Sequence, residues 1–355
     1  MSSSKEKFSD LVSNFVSEID KYQLGDLPIS QLQYFKQLIL KGKELLGNED
    51  RNNEVDILLD CIHMFLRCII EYAGAGNAAL RSLHTRQLCS TIVAAIQDFE
   101  ITNDFIKKLS IPIFEILIDP ELQPWIAKEI LRVHSDSVRC SDKAVRRSVI
   151  QQKGSYYMGR LLDLIPFGDY EFQSMIVEIM YRMCKREELY EMEKMLCFKN
   201  DELRNAFLTI DTRQFDVDTR LFLNVVNNME KNVISLLCYQ VYFDDILLEA
   251  PPELDSFKGM WIDFNVKVGT ITFFVNNIYS EDDQSPVWGV VTIFSDNISS
   301  ADICHKINED EESKKEVIGK FTLKGPCHIC NKENHKLSKC RTLVLYSSDV
   351  KNLKK

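Results

Sequence analysis

Apolar residues recur at three- and four-residue intervals from the start of the chain to about Ala250, and at two-residue intervals beyond it. The clearest helical stretch is EVDILLDCIHMFLRCIIEY, where Val55, Leu58, Leu59, Ile62, Leu66, Ile69 and Ile70 share one face. Cys61, Phe65, Cys68 and Tyr72 add a second stripe, so this segment is predicted as an inner helix covered on two sides. AGAGN (Ala73 to Asn77) supplies a break, and Asp119 before Pro120 predicts an N-cap with proline at the first helical position. Trp125, Ile126, Ile130 and Leu131 then continue a short amphipathic helix. Roughly ten to twelve helices joined by short polar turns are expected, with neither a heptad run nor a strict repeat. Such a series fits an α-solenoid of the armadillo or HEAT kind, whose units run about 40 to 47 residues. A compact irregular bundle is the competing fold.

After APPELDSFKG the period changes. WIDFNVKV, GTITFFVNN, WGVVTIFS, ADICHKIN, VIGKFTLKG and CRTLVLYSS read as strands, separated by Gly269, EDDQSP and NEDEES. Ile271, Phe273 and Val275 alternate with Thr272, Phe274 and Asn276, and the second Phe predicts cover on both faces. The expectation is an α+β chain of two domains: helical over residues 1–250, then a small antiparallel β barrel or sandwich over residues 254–350.

Composition refines this without changing it. At 355 residues, 45% apolar and 27% charged, the chain is an ordinary folded protein large enough for two cores. No run approaches the roughly 18 apolar residues of a membrane span, and MSSSKEKFSD has no signal-peptide core, so no membrane association is expected. Several of the eleven cysteines, among them Cys61, Cys68, Cys89 and Cys238, lie in apolar runs, which suits buried reduced thiols. The net charge of −10 argues against a body built to coat duplex DNA. From Lys314 to Lys355, however, eleven Lys or Arg meet only three Asp or Glu. Any nucleic-acid contact is therefore expected there and expected to be weak; lysines guarding an exposed strand edge are the plainer account.

Three strings carry a family resemblance. GDYEFQSMIVEIMYRM (Gly168 to Met183), FDVDTRLFLNVVNNME (Phe215 to Glu230) and WIDFNVKVGTITFFV (Trp261 to Val275) resemble the N-terminal region of synaptonemal complex protein 2 and its like-named paralogue. Residues 1–152 match only in helical character. The resemblance implies an armadillo-like domain followed by a pleckstrin-homology-like β domain of the histone-chaperone middle-region type. It also implies a component of the meiotic chromosome axis, the lateral element of the synaptonemal complex, in the nucleus. Chromosome-axis, centromere or chromatin proteins would be its partners. Longer family members continue into a disordered middle and a C-terminal coiled coil, so filament assembly is not expected of these residues.

Read physically, the same strings are structural. Ile176, Ile179, Met180 and Met183 are helix-spaced core, Gly168 and Asp169 a helix start, and Leu221, Phe222, Val225 and Val226 packing residues. Asp218 and Arg220 read as a surface ion pair worth little, and Trp261 and Phe264 as filling a seam between or within domains.

A rival chemistry is written in GPCHICNKENHKLSKC. Cys327, Cys330, His335 and Cys340 have the C-x2-C-x4-H-x4-C spacing of a zinc knuckle that grips single-stranded nucleic acid. His328 and Asn334 stand where knuckles usually carry an aromatic and a glycine, so the base-stacking platform is missing. The family frame offers a hairpin instead, with FTLKGPCHIC and KCRTLVLYSS as arms and NKENHKLS as the turn, which brings Cys330 and Cys340 near each other. A zinc ion clipping that hairpin is a third reading. No phosphate loop, nucleophile elbow or H-E-x-x-H helix is present. His63 falls among core positions, His84 and His134 near helix ends, and Asp244 with Asp245 at a polar boundary after a helix. No catalytic, metal or cofactor-binding residues are expected, and the function expected is a non-enzymatic interaction platform. The alternatives left open are a zinc-dependent single-strand binder and a generic armadillo-type adaptor.

Overall fold

The computed structural model describes residues 51–72, 78–151, 155–195, 201–280, 283–307, 315–325, 327–330, 335–338 and 341–348. The chain divides into two compact units, one of residues 1–163 and 175–196, the other of residues 164–174 and 197–355.

The described part of the first unit is helical: α1 (Arg51–Tyr72), α2 (Ala78–Asp98), α3 (Thr102–Leu117), α4 (Pro124–Cys140), α5 (Lys143–Val149) and α6 (Ser155–Leu162). α7 (Tyr170–Met183) contributes its residues from Met175, and α8 (Arg186–Met195) follows. In α1 the predicted face is buried at Val55, Leu58, Leu59, Ile62 and Leu66, as is the second stripe at Cys61 and Phe65. The side chains of Cys68, Ile69 and Tyr72, and the AGAGN break, lie outside the described residues.

The most enclosed described helix is α4, packed by α1, α2 and α3. It begins at Pro124, not Pro120; the Asp119 carboxylate instead accepts the Glu121 N–H at 2.9 Å, forming a turn. Its sequence is too polar to advertise burial. Glu129 and His134 are fully buried, and each is satisfied within the unit. Arg86 donates to Glu129 at 2.9 Å and Arg132 at 3.1 Å. Burial opposes the Glu129 charge, but those two guanidiniums still hold its carboxyl below the usual value. His134, predicted near a helix end, sits within α4, with Nε2 2.9 Å from the Ser110 hydroxyl and its ring edge-on to Phe114. A second carboxylate, Glu178 of α7, is clasped by Arg139 at 2.7 and 2.6 Å and by Arg182 at 2.7 Å.

The second unit has helices α9 (Asp201–Leu208) and α10 (Phe215–Glu230) and the first residues of α7, with eleven strands in two sheets. One sheet has the order β1 (Val233–Cys238), β4 (Met260–Asn265), β5 (Thr270–Ser280), β6 (Asp283–Phe294), β9 (Cys327–Cys330), β10 (His335–Ser338). The other has the order β3 (Ile246–Leu247), β2 (Gln240–Phe243), β11 (Thr342–Ser347), β8 (Lys315–Leu323), β7 (Ile298–Ile307). The described pairings are antiparallel. Ile262, Ile271, Phe273, Val275, Val291 and Ile293 from the first sheet meet Val241, Phe243, Phe321, Leu343 and Leu345 from the second in one core.

Three differences from the sequence reading stand out. The sheet begins at Val233, so the helical pattern ends before residue 250, and the boundary placed at residues 250–254 falls inside the β unit. VISLLCYQVYF is a short continuous apolar run, which periodicity cannot assign to helix or strand. Asp244 and Asp245 form the two-residue turn of the β2–β3 hairpin rather than following a helix. Asp244 has φ of 51°, and its carboxylate accepts the N–H groups of Arg341 at 3.0 Å and Thr342 at 2.8 Å, pinning the start of β11.

Candidate functional site

The three strings quoted above meet in one buried polar cluster of the β unit. β4 explains its position. Strand alternation sends Met260, Ile262 and Phe264 towards the sandwich core, and Trp261, Asp263 and Asn265 to the opposite face. α10 presents a stripe of Thr219, Arg220, Leu223, Val226 and Asn227, all buried, so its one fully buried cation points the same way as its core leucine.

Arg220 and Asp263, both fully buried, pair through two parallel bonds of 2.7 and 3.0 Å. The Ser235 hydroxyl donates to the same carboxylate at 2.6 Å. The guanidinium carbon lies 3.3 Å from the Tyr170 ring centroid and 5.2 Å from that of Trp261, so two aromatic rings take over part of its solvation. Burial works against the Arg220 charge, yet Asp263 and Tyr170 leave it above the ordinary value. Burial pushes the Tyr170 phenol up, against the pull of Arg220. Asp218, expected to pair with Arg220 at the surface, accepts instead from the Asp211 N–H at 2.7 Å.

A second layer continues the cluster. Asn265 accepts the Tyr170 N–H at 3.0 Å and donates to Thr270 at 3.1 Å and Thr272 at 3.0 Å. Gln173 and Asn227 exchange amide hydrogen bonds of 2.8 and 3.0 Å, and Gln173 also donates to the Ile165 carbonyl at 2.7 Å. Asp169 caps α7 by accepting the Phe172 N–H at 3.0 Å. Gly168 just before it has φ of +94°, and a Cβ there would lie 2.8 Å from the Asn232 Cβ. Gly168→Ala is therefore expected to cost about 1–3 kcal/mol of β-unit stability. A urea midpoint unchanged in that variant would refute the close packing.

The chemistry of this cluster is mutual satisfaction. Its donors and acceptors are directed at one another, which makes it a clasp. Among the described residues no group of three or more His, Cys, Asp or Glu side chains converges as a metal-ion site requires.

The knuckle residues fall elsewhere. Cys327–Cys330 is β9 and His335–Ser338 is β10, paired with Cys330 opposite His335 and Cys327 opposite Ser338. Positions 327 and 330 of one strand belong to opposite faces by the two-residue alternation. Cys340 lies outside the described residues. The hairpin reading is right for its outer arms, since β8 pairs with β11. It is wrong for CHIC and HKLS, which form a further hairpin that joins the other sheet beside β6. The basic stretch is likewise divided: Lys320 on β8 belongs to one sheet and Lys336 on β10 to the other.

Comparison with known proteins adds the following. Residues 233–351 match a family model described as the synaptonemal complex 2 Spt16M-like domain. The chain is 25% identical over 305 residues to synaptonemal complex protein 2 of Mus musculus, covering 83% of this chain and 18% of that protein. It is 26% identical over 304 residues to the Homo sapiens protein of that name, covering 84% and 17%. Against synaptonemal complex protein 2-like of Mus musculus it is 25% identical over 243 residues, covering 67% and 27%. The chain thus spans less than a third of the length of these relatives. A solved structure titled "Synaptonemal complex protein" shares the fold, with a TM-score of 0.59 and 18% identity over 98% of this chain and 95% of that one.

Proposed function

We propose, for a chain that is a relative of synaptonemal complex protein 2 over most of its length, that it is a non-enzymatic interaction platform of the meiotic chromosome axis. It would act in the nucleus, in the lateral element, and recruit chromosome-axis, centromere or chromatin proteins. In this reading the helical unit is an armadillo-like surface and the β unit a pleckstrin-homology-like module, divided near residues 250–254 in sequence terms.

The observation that supports this reading best is the fate of the shared strings. Gly168, Tyr170, Arg220, Asp263 and Asn265 are used to hold α7, α10 and β4 together. Residues kept for such a purpose maintain a scaffold, and what the scaffold displays is its surface. A platform needs that and no more.

The reading is tested by expressing the tagged chain in meiotic cells. Lines or foci coincident with assembled chromosome axes are expected in prophase. Uniform staining in cells whose axes have formed would sink it. Pulldown from dividing somatic cells separates it from a generic adaptor, which would recover partners there.

A further inference from the structure

β7 is an edge strand: among the described residues it pairs only with β8, in continuous register from Ser300 to Ile307. Val317, Gly319, Phe321 and Leu323 form the core-facing row of β8. Ala301 stands opposite Phe321 and Ile303 opposite Gly319, so both belong to that same row. Yet Ala301 is exposed and Ile303 is 47% exposed. The core row of β7 therefore runs past its cover, and every residue from Ser299 to Cys304 is exposed. Gly319 offers no side chain beside Ile303, and the Phe321 ring lies 3.3 Å from where a Gly319 Cβ would be. The result is an apolar row beside an unpaired backbone edge.

Natural edges of this length are usually blunted by proline, lysine or a bulge. Here the one register shift lies before Ser300, proline is absent, and Asp302 faces solvent. Lys320 is the register partner of Asp302 on β8, and no ion pair joins the two. In sequence, Ile298 to Ser313 holds five carboxylates and one lysine. The edge is acidic, and an acidic partner strand would be repelled.

We propose that β7 accepts one further antiparallel strand from a partner protein, an extended basic segment in which apolar residues alternate with Lys or Arg. Its backbone completes the sheet, its apolar side chains cover Ala301 and Ile303, and a cation meets Asp302. This stands on the β unit alone and does not depend on the chromosomal setting.

The test titrates the whole chain with a fluorescent peptide alternating lysine with valine, beside a glutamate–valine peptide and a proline-interrupted control. Binding of the lysine peptide is expected, with both controls at least about tenfold weaker and β7 amides protected from hydrogen exchange. Asp302→Lys should lose about tenfold in affinity with its melting temperature unchanged. Adjacent strand residues turn their N–H groups to opposite sides. Of Ala301→Pro and Asp302→Pro, one breaks the ladder to β8, while the other keeps the fold and abolishes binding. Absence of binding, equal binding by Asp302→Lys, protection confined to another segment, or a dimer of the chain protecting β7 by itself would each overturn the proposal.

Discussion

Arg220→Ala is expected to destabilise the β unit by about 3–5 kcal/mol, among the largest losses available to a single substitution here. The cost is less the lost attraction than the stranded partner. Asp263 is fully buried, and without Arg220 its carboxylate keeps only the Ser235 hydroxyl among its side-chain partners in the clasp. Tyr170 and Trp261 lose the cation their rings face. The pair itself is not a net asset of that size, because both charges were taken out of water. Arg220→Met combined with Asp263→Leu should therefore recover most of the loss. The check is the denaturant midpoint of the two variants, with hydrogen exchange on β4 assigning the change to this unit. A double variant no better than Arg220→Ala would mean that shape, not uncompensated charge, is what the site demands.

Acid is expected to loosen the helical unit from pH 6.5 downward, before its buried carboxylates titrate. Burial lowers the His134 pKa to about 3, against an ordinary 6.5. The folded protein keeps the ring neutral, while the unfolded chain takes up the proton below about 6.5. Stability on this account is full above that pH and falls steadily towards pH 3, by about 4–5 kcal/mol in total. His63, lowered by burial and then by Arg67, adds in the same direction. Glu129 and Glu178 are held below the usual carboxylate value by their arginines, despite burial, so their stabilisation is lost only below about pH 4.5. The window from pH 6.5 to 4.5 thus belongs to the histidines. His134→Gln, which can still reach the Ser110 hydroxyl, should flatten the stability profile there, as followed by helical-unit hydrogen exchange. An unchanged slope in that variant would assign the acid sensitivity elsewhere.

What the sequence disclosed, and what it hid, divides along physical lines. α1 was legible because its burial is written in apolar side chains at helical spacing. α4 was not, because it is buried with Glu129, His134 and Ser135, and a buried polar residue satisfied by partners about 20–45 positions away looks like a surface residue. The alternation of β5 was read correctly, and its second aromatic, Phe274, is indeed covered, by Tyr170 at 6.4 Å. β1 and β2 were hidden by an unalternating apolar run. Arg220 was the informative miss. It lies three residues from Leu223 and seven from Asn227, on the buried stripe of α10, and that phase was a readable signal that it does not face water. Its partner Asp263 was equally readable, alternating with Ile262 on a two-sided strand. Joining them across 43 positions needed the fold. The knuckle spacing was legible and misleading, because four ligands at suitable intervals say nothing of whether the chain between them is a loop or two strands.

The placement of β11 bears on how this unit is made. It lies in the interior of its sheet, between β2, which precedes it by about a hundred residues, and β8. Until residues 342–347 leave the ribosome, β3–β2 and β8–β7 are two separate ribbons, each with an open inner edge. The sheet closes last and over long separations, which makes its assembly slow and its nascent form dependent on chaperones. A chain ending ahead of Thr342 would lose, with six residues, the cooperativity of the whole five-stranded layer.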